Sequence, residues 1–302
     1  MAPRFLLLKY LLMSQIFIPR TAVVGAHTKL VLESVKHAES NSLIDAVLIG
    51  NGEKIKKIAR DMDFDVANKI IIDAKNDEEG VKKMVELIKD GSVEMVMKGC
   101  ISSDLFLNQL LASKNGLKTN RRASHIFRLD LPGSKKDLYV TDAVLNVETT
   151  EEVLYEIANN AIEILQSLDI KKPKIAVLSA TEKITTSVPS STIIDSVVMK
   201  LRNKKNVVVE GPVALDVALS KDAVLEKGIK SKVAGEIDLL VFPNIEAGNI
   251  FYKALVFYVG ATPAGIVTGL KVPVILTSRA DTIEARVASC YFARQVFSAK
   301  MQ

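Results

Sequence analysis

At 302 residues the chain is long enough for two α/β domains or one large one, and 48% hydrophobic with 25% charged residues is ordinary globular composition. The formal net charge of +5 is spread over lysines such as Lys54, Lys56, Lys57, Lys82 and Lys83, which reads as solvated helix surface. A nucleic-acid binder would cluster its cations with interleaved aromatics, and only 5% of the residues are aromatic. Two cysteines exclude a disulfide framework and a thiolate metal cluster, and His27, His37 and His125 show no ligand spacing.

These features predict a cytoplasmic protein with no bound metal, no nucleic-acid partner and no membrane span, whose mild basicity suits a polyanionic small ligand such as a nucleotide or coenzyme A. Residues 1–20 read as an N-terminal extension. Phe5–Leu12 is apolar behind Arg4 like a signal peptide, but Lys9 interrupts it and no cleavage pattern follows. Met13 is an alternative start.

From Thr21 onward, strand and helix patterns alternate. Thr21–Ala26 is an apolar run, and Thr28–His37 has helical spacing. Ala46–Ile49 is a second strand, closed by Gly50-Asn51-Gly52 before a Lys-rich helix through Ala59. Strands over Lys69–Ile72 and Val93–Met97 flank a helix over Asp77–Ile88, with Asp77 as its expected N-cap, and another helix covers Asp104–Leu111. This βαβ series implies a parallel sheet. Residues 120–146 carry extended patterns, and a long helix follows over Val153–Leu168. A second series has strands at Ile175–Leu178, Val207–Val209, Leu239–Phe242, Ala264–Val267 and Val272–Leu276, and a final helix from about Thr282 to Val296. A domain boundary is expected near residue 150, giving a first α/β domain over 21–149 and a second over 150–279.

Several strand ends are rich in hydroxyl, amide and cationic groups: Lys98-Gly99, Ser179-Ala180-Thr181, Glu210-Gly211-Pro212, Asn244 to Asn249 with Lys253, and Thr277-Ser278-Arg279-Ala280-Asp281. In open α/β sheets ligands bind at the carboxyl ends of strands, so this set predicts a crevice for phosphate and acyl oxygens. Arg279 can grip a phosphate with two parallel hydrogen bonds. Each Asn and Ser also suits a helix cap. Gly50-Asn51-Gly52 lacks the full dinucleotide fingerprint and reads as a turn. His125 is a core residue or a base, and Cys100 is expected to be buried or half-buried. Thr141-Asp142 with Asn146 puts more polarity on a strand than a buried strand tolerates unpaired.

The chain resembles the phosphate acetyltransferase and phosphate butyryltransferase family from about Thr21 to its C-terminus. The matching pieces are Met97-Lys98-Gly99, Gly116-Leu117, Arg122-Ala123-Ser124-His125, Thr141-Asp142-Ala143-Val144-Leu145-Asn146, Gly211-Pro212 with Asp216, Val233-Ala234-Gly235, Glu246-Ala247-Gly248-Asn249, and Thr277-Ser278-Arg279-Ala280-Asp281. The resemblance implies two three-layer α/β domains, isocitrate/isopropylmalate dehydrogenase-like, with a cleft between them and the C-terminal helix, about 280–302, returning to the first domain. It also implies a homodimer with no tightly bound cofactor, coenzyme A as co-substrate, and exchange of acyl-CoA and phosphate with acyl phosphate and CoA.

In that reaction the CoA thiol must be deprotonated, the tetrahedral oxyanion needs donors, and the leaving phosphate needs a cation. Those needs assign Arg279 to the phosphate or developing charge, Ser278 to the oxyanion and Asp281 to the base; Arg122 matches a family arginine near the substrate, and Ser124, Asn249, Lys253, Ser179 and Thr181 are expected to bind substrate with it. Acetyl-transferring relatives carry an aspartate where this chain has Ala285, so Glu284 is the alternative base and the acyl chain stays open between acetyl and butyryl. Two other readings are a metal-dependent 2-hydroxyacid dehydrogenase of the same fold, which would need clustered aspartates, and a non-catalytic sensor of acyl-CoA or acyl phosphate.

Overall fold

A computed structural model describes residues 17–301. Of the expected N-terminal extension, residues 1–16 lie outside the described residues. In chain order the elements are β1 (Arg20–Val24), α1 (Lys29–Ser40), β2 (Asp45–Gly50), α2 (Gly52–Asp61), β3 (Ile71–Asp73), α3 (Asp77–Lys89), β4 (Met95–Lys98), α4 (Ser103–Leu111), β5 (Ser124–Asp130), β6 (Leu138–Thr141) and α5 (Glu151–Ser167). There follow β7 (Lys174–Leu178), α6 (Pro189–Arg202), β8 (Val208–Val213), α7 (Leu215–Leu219), α8 (Lys221–Glu226), β9 (Leu239–Val241), α9 (Ile245–Ala254), a π-helical turn (Leu255–Val259), β10 (Thr262–Thr268), β11 (Val274–Ile275) and α10 (Ile283–Lys300). The expected α/β class is the observed one.

The chain divides into two compact units. One holds the sequence up to Ala123 and again from Thr262 onward; the other is Ser124–Ala261. The division differs from a boundary near residue 150 in two places, and strand pairing accounts for both. β5 and β6 pair with each other and β6 lies parallel beside β9, so the extended stretch belongs to the second unit. β11 lies parallel beside β4, and β10 pairs with β11, so residues 262–279 return to the first unit along with the C-terminal helix.

The first unit's strands run β3-β2-β1-β4-β11-β10, parallel except for β10. β1, β2 and β4 are almost wholly buried and rich in branched and sulfur-containing side chains, which is what a sheet covered on both faces requires. α10 packs across β10 and against α1. α3 starts at an N-cap supplied by Asn76, whose side chain accepts from the Glu79 amide at 2.9 Å, so the cap is one residue earlier than expected and Asp77 is the first helical residue. The second unit's strands run β5-β6-β9-β7-β8, with α5 and α6 packed together and α6 lying on β7 and β8. Its core gathers Phe127, Leu129, Val140, Ala176, Leu240, Phe242 and Tyr252. α6 had no clear sequence signal beyond Pro189 at its first turn, because its apolar face is short and interrupted by serine and threonine.

Two backbone approaches fix the carboxyl end of β4. The Gly99 amide donates to the Val24 carbonyl at 2.7 Å, and the Cys100 amide donates to the Gly25 carbonyl at 3.0 Å. A Cβ on Gly99 would lie 2.5 Å from the Val24 oxygen and 2.6 Å from the Gly25 oxygen. Cys100 itself is exposed, contrary to expectation, because the strand has ended and its backbone, not its side chain, faces β1. Gly99→Ala should therefore lower unfolding stability by about 2–3 kcal/mol, read from urea denaturation, since backbone oxygens cannot rotate out of the way.

Candidate active site

Beyond β11 the chain stays buried through Thr277 and then turns outward. Ser278, Arg279 and Ala280 are exposed and Asp281 is half-buried. The Thr277 hydroxyl accepts from Arg286 Nη1 at 3.0 Å and lies 3.5 Å from the Lys98 carbonyl oxygen, to which it donates. The turn is closed by the Ser278 amide donating to Asp281 Oδ2 at 2.6 Å and the Ala280 amide donating to Ser278 Oγ at 3.3 Å. α10 then begins at Thr282, whose hydroxyl accepts from the Ala285 amide at 3.3 Å. Asp281 is thus not the N-cap, and its second carboxylate oxygen has no hydrogen bond among the described residues. The Arg279 guanidinium has none either. The three residues expected to act on the acyl phosphate are consecutive or nearly so on one hydrogen-bonded turn, with an exposed cationic side chain.

Two buried cations lie behind that turn. Lys98, at the end of β4, is 1% exposed, and its ammonium donates to the carbonyls of Ile101 at 3.1 Å and Gly99 at 3.4 Å. Burial, reinforced by the charges of Arg286 and Arg279, pulls its pKa down to about 8. Arg286 is 2% exposed and, among the described residues, bonds only neutral oxygens. Burial raises the Asp281 pKa against the opposing pull of the Ser278 amide, Arg286 and Lys98. Glu284 is different: it is exposed in the first turn of α10, where its own backbone amide and Thr282 lower its pKa. Of the two carboxylates considered for the base, Asp281 is the one with the more basic environment. Ala285 is buried, and its carbonyl accepts from Ser289 at 2.8 Å.

The remaining expected residues fall into three groups. Arg122 is half-buried in the first unit, just before β5, where Gly269 permits a close approach. A Cβ on Gly269, whose φ is +84°, would lie 2.2 Å from the Arg122 carbonyl oxygen. In the second unit, Ser179 is buried at the end of β7 with a hydroxyl that has no partner among the described residues, and the half-buried Thr181 accepts from the Lys183 amide at 3.1 Å. Asn249 and Lys253 are on α9; Asn249 donates to the Ala143 carbonyl at 2.9 Å, and Lys253 is exposed. Ser124 points inward instead: it is 1% exposed and its hydroxyl accepts from Asn160 at 3.0 Å.

The polarity of the Thr141–Asn146 segment is resolved by pairing. The Asp142 carboxylate accepts from the amides of His125, Val144 and Leu145 and from the Asn146 side chain, at 3.1, 2.9, 3.0 and 2.7 Å. His125 is fully buried with its ring edge-on to Phe127 at 4.3 Å, a core position. Cys290 is buried with its thiol pushed up to about 12 by burial, which leaves it unreactive.

Sequence reasoning missed Arg286 and placed Lys98 at the crevice without a role of its own. Lys98 had a signal, a charge terminating the apolar run Val93–Met97. Arg286 had none, because in a helix first turn a buried arginine and a solvated one look alike. The first unit also contains a cavity of about 150 Å³ at the ends of β1, β2 and β3, lined by Gly25, His27, Gly50, Asn51, Lys54 and Lys75 among others. Among the described residues there is no group of three or more His, Cys, Asp or Glu arranged to hold a metal ion, and no helix long and apolar enough to cross a membrane.

Residues 81–293 match the model of the phosphate acetyl/butaryl transferase family, a span that includes the whole second unit, β4, β11 and the Ser278–Asp281 turn. The chain belongs to this family. It is 38% identical over 259 residues to a phosphate acetyltransferase of Rhizobium meliloti, covering 85% of this chain and 82% of that one. It is 35% identical over 280 residues to a phosphate butyryltransferase of Clostridium acetobutylicum, covering 92% and 93%. Its fold superposes with a TM-score of 0.79 on a branched-chain phosphotransacylase from Enterococcus faecalis, at 31% identity over 92% of this chain and 99% of that one. Membership makes the protein an acyltransferase and leaves neither the dehydrogenase nor the sensor reading favoured.

The depressed Lys98 pKa has a measurable consequence for this phosphate acyltransferase fold. With a folded value of about 8 against 10.5 when unfolded, the unfolded chain binds more protons between those pH values, so stability rises with pH across that window. The full effect is on the order of 3 kcal/mol. Wild type minus Lys98→Met, followed by denaturant titration at a series of pH values, should show a difference that grows in favour of wild type from pH 8 upward.

Proposed function

We infer that the protein catalyses reversible acyl transfer between coenzyme A and phosphate, with acyl-CoA and phosphate in exchange with acyl phosphate and CoA. The observation that carries this reading is the exposed Arg279 guanidinium, without a hydrogen-bond partner among the described residues, on the turn that also presents Ser278 and Asp281. Acyl phosphate and CoA bind together. Asp281 takes the thiol proton through its unbonded carboxylate oxygen, and a carboxylate made more basic by burial is better matched to a thiol than a solvated one. The thiolate attacks the acyl carbonyl, the Ser278 hydroxyl donates to the oxyanion, and the carbon–oxygen bond to phosphate breaks as Arg279 takes up the charge on the leaving group.

In the second unit, the roles proposed for Ser179, Thr181, Asn249 and Lys253 are contacts to substrate, and Arg122 has that role in the first. Coenzyme A is a co-substrate with no other cofactor required, and the cavity with Lys54 and Lys75 at its wall suits its phosphate-bearing end. Relatives named for acetyl and for butyryl transfer are similarly close, so the acyl group is short-chain. Exposed Ile250, Phe257 and Tyr258 on α9 and the turn after it favour a homodimer, which sedimentation would establish. Two free thiols, one of them exposed, suit the cytoplasm.

The direct test is thioester formation from CoA with acetyl phosphate and butyryl phosphate in separate reactions, followed by ultraviolet absorbance. Turnover is expected with at least one, and absence of turnover with both in a folded protein would overturn the reading. Arg279→Gln should cost about 10²-fold in kcat/KM, the scale of losing one donor to developing charge. Asp281→Asn should lower kcat by more than about tenfold, and a smaller loss would move the base to another residue. Lys75→Glu should raise KM for CoA roughly fivefold, equivalent to about 1 kcal/mol, and leave KM for the acyl phosphate unchanged.

A further inference from the structure

We infer that Arg286 is a positioning residue for the phosphate-binding turn: from within the first unit its guanidinium fixes Ser278 and Arg279 without itself touching substrate. This rests on the function proposed above. Arg286 emerges from the first turn of α10, where its amide donates to the Thr282 carbonyl at 3.2 Å, so a rigid helix sets the direction of the side chain. Its three hydrogen bonds all go to one five-residue segment: Nη2 to the Ser278 carbonyl at 2.8 Å, Nη1 to the Thr277 hydroxyl at 3.0 Å and Nε to the Asp281 carbonyl at 3.4 Å.

The arrangement is unusual for a buried charge. A guanidinium buried to this degree normally lies against a carboxylate. The carboxylate in reach, Asp281, is turned instead to the Ser278 amide at 2.6 Å, so the two ends of the turn are held from opposite sides, the carbonyls by Arg286 and the amide by Asp281. Burial works against the charged form of Arg286 and the charge of nearby Asp281 offsets it only in part, yet guanidinium stays protonated, so the cost is borne by the fold. What that cost secures is the direction of the peptides on either side of Ser278, hence the outward course of the Ser278 and Arg279 side chains. It also places a fixed positive charge behind the turn, and Lys98, whose ammonium feels both Arg286 and Arg279, adds a second. A planar fork is needed to span three oxygens in fixed geometry, which a lysine ammonium at the end of a flexible stem cannot do.

The test compares wild type, Arg286→Lys, Arg286→Gln, Arg279→Gln and the double variant Arg286→Lys/Arg279→Gln. Inorganic phosphate affinity is measured by titration calorimetry, and kcat/KM is measured with acyl phosphate and CoA. Arg286→Lys is expected to unfold cooperatively like wild type, yet to lose at least tenfold in phosphate affinity and in kcat/KM. In the Arg279→Gln background the same change should cost less than threefold, because the group it positions is already gone. A residue that merely supports the fold would give losses that multiply. Multiplying losses, or an Arg286→Lys protein with wild-type affinity and rate, would overturn the inference. If Arg286→Gln fails to fold, Arg286→Lys and Thr277→Val carry the comparison; the latter removes one of the three acceptors and should weaken phosphate binding about threefold, and unchanged affinity would count against the clamp. Wild type that binds phosphate but shows no turnover would sink the transferase reading alone, while the phosphate affinities would still decide the role of Arg286. Wild type that binds no phosphate would end both.

Discussion

The pairing of β11 with β4 is the constraint from which the rest of the site follows. Val274 lies opposite Val96 and Ile275 opposite Met97, so a two-residue strand near the end of the chain is held in register beside one from its first third. A shift of one residue would turn the side chains of β11 to the opposite faces of the sheet and carry Thr277 away from the Lys98 carbonyl. In register, the two strands end together. Lys98-Gly99 and Thr277-Ser278-Arg279 then share one carboxyl edge, the side of a parallel sheet on which ligands bind. The residue after β4 must be glycine because the ends of β1 and β4 approach to hydrogen-bonding distance. α10, which follows directly, supplies both the cap at Thr282 and the guanidinium that braces the turn.

Charge at this edge is deliberately unbalanced. Lys98, Arg279 and Arg286 face a single nearby carboxylate, Asp281, and two of the three cations are buried. Buried cations are costly unless paired, and here they are satisfied by carbonyl and hydroxyl oxygens that leave their charge uncancelled. An uncompensated positive field at a strand edge is suited to holding phosphate and to receiving the negative charge that develops as the acyl–phosphate bond breaks. The same field opposes the rise in the Asp281 pKa that burial causes, and burial prevails.

Much of this was legible in the amino-acid sequence, and the limits have physical causes. Most of the parallel strands announced themselves as short branched-apolar runs, and their polar ends marked the chemical edge of each sheet. Asn120 to Asn146 was recognised as extended, but whether it belongs with the strands before it or after it depends on β6 pairing with β9, a long-range contact that leaves no local pattern. The return of residues 262–279 to the first unit is hidden for the same reason. Asp142 drew attention as misplaced polarity, and its four hydrogen bonds explain it as a knot in the backbone of the second unit. Ser278, Arg279 and Asp281 stood out because a guanidinium and a carboxylate directly follow a buried strand. Arg286 did not, since burial of a helical arginine is decided by what packs over it. Ser124 lay within a family motif, but the start of β5 is buried on both faces and its hydroxyl is taken up by Asn160.

The account depends most on where phosphate binds. Backbone amide resonances followed during titration of the full chain with inorganic phosphate would locate it. The account requires the largest saturable shifts at Thr277–Asp281, with smaller ones at Lys98–Ile101 across the β11–β4 edge. Saturable shifts centred elsewhere, with these two segments unmoved, would contradict it.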